Sequence, residues 1–358
     1  MKNINKLTDW VIQKIEKEYK EDIALLLAVH GHNTDGDQHG LCFDYFVPTT
    51  ERGCELAETF IINGVGHDLY PRSWERLEES VQLNDMPIVI EGAEILYAHS
   101  KEDEERFNDM KMRLQGNLKD PEFVYGKALE YMDKALEIYR TIIFEDKSYR
   151  VINEAGCIHL FLTKAVAVLN HTYSEGPIFS RKQAYDSDPD SRIYSCPEMK
   201  LVPDGFFENA ERLLKEKDPE KIKEIIMHLL KATRTFILER EPGSGQSRDL
   251  TKVDFNGLAN WYQELSLTWK RLRYFCKNNM TEKAFYDAGY LQEELLYIFQ
   301  EYHVDEMNLL DSFDADDLSK LVTRADCIEK KILGLLADHE TSVNSYDSLE
   351  DFLEAREI

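Results

Sequence analysis

The sequence predicts an α+β chain, with a mixed sheet and its helices in residues 1–115 and an all-helical region after them. Two observations carry this. Up to residue 115, short apolar runs alternate with amphipathic stretches, the pattern of strands interleaved with helices. Beyond Gly116 the period changes to that of long amphipathic helices.

Thr8 or Asp9 can N-cap a first helix, because Val11, Ile12, Ile15 and Tyr19 then share one face. Ile23 to Val29 is unbroken and apolar, as a strand covered on both faces would be. A polar loop, 30–40, leads to a second strand candidate at 41–47, which Pro48 stops. Residues 51–62 read as a helix, and 66–70 as a short strand. Ser73 is placed to cap a helix over 74–83, and the apolar pieces 87–90 and 94–97 close the domain.

In the second half, helices are expected at 123–144, 154–170, 205–215, 219–238, 255–278, 282–302 and 315–338, with a short one at 348–356. Two breaks interrupt them: 172–204, which carries Gly176, Pro177, Pro189, Pro197 and Pro203, and the glycine-rich 241–247. The domain reading is therefore 1–115, 116–245 and 246–358, the last two packing either apart or as one unit.

The 358 residues hold 43 Lys and Arg against 68 Asp and Glu, a formal charge of −25. Duplex nucleic acid and an anionic membrane surface are poor partners for such a chain. The acidity sits on the flanks: residues 1–115 and 246–358 each carry −11, and residues 116–245 only −3. Six cysteines without a CxxC pair, a polar start and no apolar run of spanning length lead to the expectation of a cytoplasmic protein with reduced thiols.

The loop 30–44 is the most unusual stretch. It holds His30, His32 and His39 with Asp35, Asp37 and Asp44, between two strand candidates. Carboxylates at a strand end suit a hard cation, and backbone N–H groups near Gly31, Gly36 and Gly40 suit phosphate oxygens. The same residues also serve plain turn geometry.

The order of these pieces resembles the nucleotidyltransferase superfamily of DNA polymerase β-like enzymes, above all its minimal and aminoglycoside members. Their pattern is an apolar strand ending in Gly-Ser, then Asp-x-Asp on the next strand, then a third carboxylate on a later strand. Gly31 falls on the glycine, Asp44 on the first carboxylate and Asp68 on the third. His32 stands where the serine is expected, and Phe46 where the second aspartate is expected.

The resemblance implies a palm followed by a helical closing domain, and transfer of a nucleoside monophosphate from an NTP to a hydroxyl of a small molecule or a protein. It implies Mg2+ held by Asp44 and Asp68, with Asp35 or Asp37 standing in for the missing ligand. Gly31 and His32 would meet the phosphates, and Arg181 and Lys182 would close over the triphosphate. The alternative is a catalytically degenerate nucleotide-binding or partner-docking protein that keeps the fold. Arg72 is a candidate partner of Asp68 or a phosphate contact.

A helical domain after such a palm also resembles the HEPN class, whose RNA-cleaving members carry Arg, four to six residues, then His. Arg150 and His159 are nine apart, which disfavours that activity.

Overall fold

The apolar run Ile23–Val29 forms β1, an inner strand of a five-stranded sheet. The computed structural model describes residues 6–29, 44–62, 64–180, 199–242, 253–302 and 304–356. The other strands are β2 (Tyr45–Pro48), β3 (Glu58–Ile62), β4 (Val65–Pro71) and β5 (Ala93–Ala98), in the spatial order β3-β4-β2-β1-β5. β1 runs antiparallel to β2 and β5, β2 runs parallel to β4, and β3 and β4 form an antiparallel pair. The sheet is thus mixed, and the chain is α+β as the sequence predicts.

Both faces of β1 are buried, yet the alternation of a strand still sorts its side chains. Leu25 and Leu27, with Tyr45 and Val47 of β2, enter the large core. Leu26 and Phe46 enter a smaller core with Val11 and Ile15, beneath α1 (Lys6–Lys14) and its π-helical continuation Ile15–Tyr19. α1 starts at Lys6, ahead of the expected caps, and Thr8 is one of its buried residues.

One local expectation, the helix over 51–62, fails for a physical reason. Residues 51–62 are a 3-10 turn, Arg52–Leu56, and then β3. Asp22 holds that turn, accepting from Thr50 Oγ1 at 2.6 Å and from Arg52 at 2.7 Å. At Gly53 a Cβ would come 2.4 Å from the Asp22 carbonyl oxygen, so a side chain there has no room. Residues 88–91 form a single helical turn, α3 (Ile88–Glu91). The acidic stretch after Ser100 opens a full helix, α4 (Lys101–Asn117). Ser100 caps it, and Glu102, Asp103 and Glu104 sit at the positive end of its dipole.

α2 (Trp74–Val81) starts on the expected Ser73 cap. α5 (Pro121–Ile142) and α6 (Ser148–Val168) form a hairpin, followed by α7 (Phe206–Lys215) and α8 (Pro219–Leu238). The chain divides into two compact units, 1–245 and 246–358. In the first, one continuous core joins Leu27 and Tyr45 of the sheet to Leu77, Met110, Leu162 and Leu229 of the helices. The second unit packs α9 (Phe255–Lys277), α10 (Thr281–Glu301) and α11 (Ser319–Asp338) around the fully buried Trp269. α12 (Leu349–Ala355) buries none of its side chains.

Of the described helices only α6 is long and apolar enough to cross a membrane. Here it is a core helix, with Val151, Ile158, Leu162 and Val166 at 0% exposure.

Candidate functional site

Around the buried Arg72, just past β4, stand the partly buried charges of Asp85, Lys164 and Glu175. β4 ends in Tyr70 and Pro71, and the Arg72 N–H extends the ladder by donating to Phe46 O at 2.9 Å. The Arg72 side chain is 2% exposed. It donates to Asp85 Oδ2 at 2.7 Å, and Arg76 Nε reaches the same oxygen at 2.9 Å. Burial pushes the Asp85 carboxyl up, but Arg76 and Arg72 outweigh that and hold it below its usual range.

The Arg72 guanidinium lies 5.7 Å from the Tyr45 ring and 5.9 Å from the Tyr70 ring. Its Nε is buried with no hydrogen-bond partner in the structure as described.

Asp85 is delivered by a strained turn. Leu83 sits there at φ +61°, a left-handed conformation that leucine rarely adopts. Its buried side chain and the Tyr131 hydroxyl, which donates to Leu83 O at 2.6 Å, hold it in place.

The helices add charge of their own. Lys134 of α5 and Lys164 of α6 lie 5.6 and 5.9 Å from the centroid of the same Tyr131 ring. Burial lowers the Lys164 pKa, Glu175 and Asp85 offset part of that, and Lys134 adds to it. Glu175, in the segment after α6, accepts from the Ile88 N–H at 2.9 Å. Burial raises its carboxyl pKa, although that hydrogen bond and the Lys164 charge pull the other way. The result is a seam of Arg72, Lys134 and Lys164 with Asp85 and Glu175, backed by aromatic rings. Such a seam suits a polyanion, which would relieve the repulsion between the lysines and their desolvation together.

The residues singled out by the sequence fall as follows. Asp44 directly precedes β2 and donates its N–H to Leu27 O at 2.8 Å. Its charge reaches Tyr70 and Tyr45, whose hydroxyl pKa values are raised first by burial. Asp68 lies in β4, exposed, with Oδ1 accepting from Thr59 Oγ1 of β3 at 3.0 Å. Tyr45 stands opposite Tyr70, so Asp44 and Asp68 are one residue out of step along the parallel pair. Phe46 is fully buried in the core beneath α1. Arg72 pairs with Asp85 and not with Asp68. Gly31, His32, Asp35, Asp37, Arg181 and Lys182 lie outside the described residues.

Among the described residues no three His, Cys, Asp or Glu side chains gather as a metal site. Phe46 is buried and a phenyl ring cannot ligate a cation, while Asp35 and Asp37 lie outside the described residues.

Lys134, Lys164, Asp85 and Glu175 were not marked by any motif. The one legible signal is Lys164, a lysine inside the apolar stretch of α6 between Thr163 and Ala165. His159 is a core residue: Nε2 lies 2.8 Å from Ile178 O, and burial lowers its pKa to about 4.

No protein-family model and no curated protein matches the chain. Among solved structures it is similar to a nucleotidyltransferase-like protein from Exiguobacterium sibiricum 255-15. The likeness covers 65% of this chain and 75% of that one, at 12% identity and a TM-score of 0.35. At that distance nothing about site or activity transfers.

Proposed function

We propose that the protein binds a nucleoside triphosphate through its phosphates in the seam between β4 and α5–α6, as a catalytically degenerate member of the nucleotidyltransferase-like class. The observation that carries the reading is the buried Arg72 guanidinium, with its unpartnered Nε, beside two lysines that share one ring. In the transferase pattern three carboxylates hold the metal ions, and here the second position is a fully buried phenylalanine. Arg181 and Lys182 follow Ser180 directly in the chain, just beyond the segment that brings Glu175 to the seam. Under this reading they add further cations for the phosphates.

A second reading keeps the transfer activity, with Mg2+ and a small-molecule or protein hydroxyl as acceptor. Asp44 favours it, because its charge acts on Tyr70 beside Arg72. Calorimetric titration with ATP and GTP, with and without Mg2+, separates the two. Degenerate binding predicts affinity that survives removal of Mg2+ and survives Asp44→Asn, and that falls about tenfold or more in the Lys134→Gln/Lys164→Gln variant. Binding that needs Mg2+ and is lost in Asp44→Asn returns the protein to the transferases. No binding at millimolar nucleotide removes both readings.

A further inference from the structure

The α9–α10 hairpin carries a second surface, independent of the seam. Tyr286, Tyr290 and Tyr297 of α10 are spaced four and seven residues apart, which sets them on one stripe of the helix. They are 76%, 46% and 49% exposed. Leu267 and Tyr274 of α9, 67% and 56% exposed, are seven residues apart and likewise share one face of their helix.

The two stripes adjoin. Arg271 of α9 donates through Nε and Nη2 to both oxygens of Asp287 on α10, at 2.7 and 2.9 Å, and its charge reaches Tyr286 and Tyr290. Trp261 Nε1 donates to Glu294 at 3.0 Å and ties the hairpin further along. The Asp287 side chain is 4% exposed. The aromatic rings therefore stand on a platform fixed by a bidentate ion pair, so little ordering entropy is lost when something covers them.

Exposed tyrosines around an arginine are the composition of a protein-binding surface, and tyrosine and arginine are the side chains that dominate such interfaces. Charge selects the occupant. Residues 246–358 carry −11, and Glu264 and Glu293 flank the stripes as exposed carboxylates. The Arg271 cation is already met by Asp287. A second copy of the chain would bring the same acidic charge against itself. We propose that this face docks a basic, arginine-bearing segment of another protein, with guanidinium groups stacked on the tyrosine rings and paired with the flanking glutamates.

The test uses the full chain and a fluorescent arginine–alanine repeat peptide, with its lysine and glutamate counterparts, followed by anisotropy. The proposal expects the arginine peptide to bind tighter than the lysine one and the glutamate peptide not to bind. It expects Tyr286→Ala/Tyr290→Ala to weaken the arginine peptide about tenfold or more. Tyr286→Phe/Tyr290→Phe should keep the affinity, as should Tyr149→Ala, an exposed tyrosine elsewhere. Circular dichroism establishes that each variant is folded. Equal binding of the arginine and lysine peptides with no response to the tyrosines would mean unspecific charge attraction, and would overturn the proposal. So would the absence of binding at low salt. Sedimentation showing a dimer that Tyr290→Ala dissociates would assign the face to a second copy instead.

Discussion

The two helical hairpins of this chain, α5–α6 and α9–α10, solve the same packing problem with opposite placements of polarity. Each buries an apolar seam between adjacent helices. α5–α6 also takes polar groups inside: the Tyr131 hydroxyl donates to Leu83 O, His159 and Thr163 meet the Ile178 backbone, and Lys164 is half-buried. α9–α10 keeps tyrosines outside and uses a single buried carboxylate, Asp287, to lock the pair. Buried ionisable groups cost free energy unless partnered. The first hairpin thus carries partly buried charge, and the second a mount for surface rings.

The largest expected effect lies in the second hairpin. Trp269→Ala removes a fully buried ring and should cost about 3–5 kcal/mol, read as a lower denaturant midpoint for residues 246–358. The transition of residues 1–245 should stay where it was. If both move together, the contrast between two separate cores is broken.

Next comes the interior histidine of α6. The native state holds His159 neutral, with its pKa lowered from 6.5 to about 4. The unfolded chain binds this proton first as pH falls. Its contribution to stability is therefore complete above 6.5 and is lost between 6.5 and about 4, to the extent of about 3 kcal/mol. Urea unfolding across that window should show the slope in the wild type, and a flatter profile in His159→Gln.

A smaller effect of the opposite sign is expected at Glu175. Its folded pKa is raised, so the ionised carboxylate opposes folding above that pKa. Glu175→Gln keeps an acceptor for the Ile88 N–H and should raise Tm by about one or two degrees at neutral pH. The gain should vanish as pH falls below the ordinary glutamate range. A variant less stable at pH 7 would mean that the Lys164 and Arg72 charges outweigh burial. Least of all, Tyr286→Ala should change stability by no more than about 0.5 kcal/mol because its ring is largely exposed, and Tyr290→Ala by up to about 1 kcal/mol because it also gives up a surface hydrogen bond to Glu294.

Legibility in the sequence followed locality. β1 and the long helices could be read because their signals, an unbroken apolar run and helical spacing, lie within one segment. α8 and α9 fall within a residue of their expected ends. β3 reads as helix in the sequence because its order comes from pairing with β4 and from the Asp22 clamp on the preceding turn, neither of which is local. Arg72 was visible as a candidate but its partner was not, since Asp85 lies beyond α2 and is delivered by the strained turn at Leu83.

By itself the sequence determined the fold class, the acidity of the flanks and the absence of a carboxylate at Phe46, because these depend on residue identity and short-range period. Only the tertiary structure decided that Phe46 is core, that Lys134 and Lys164 share the Tyr131 ring, and that Glu175 reaches Ile88. Lys164 is 33 positions from Tyr131, and Glu175 is 87 from Ile88. A lysine or glutamate at such a position reads as surface until burial shifts its charge and gives it a neighbour.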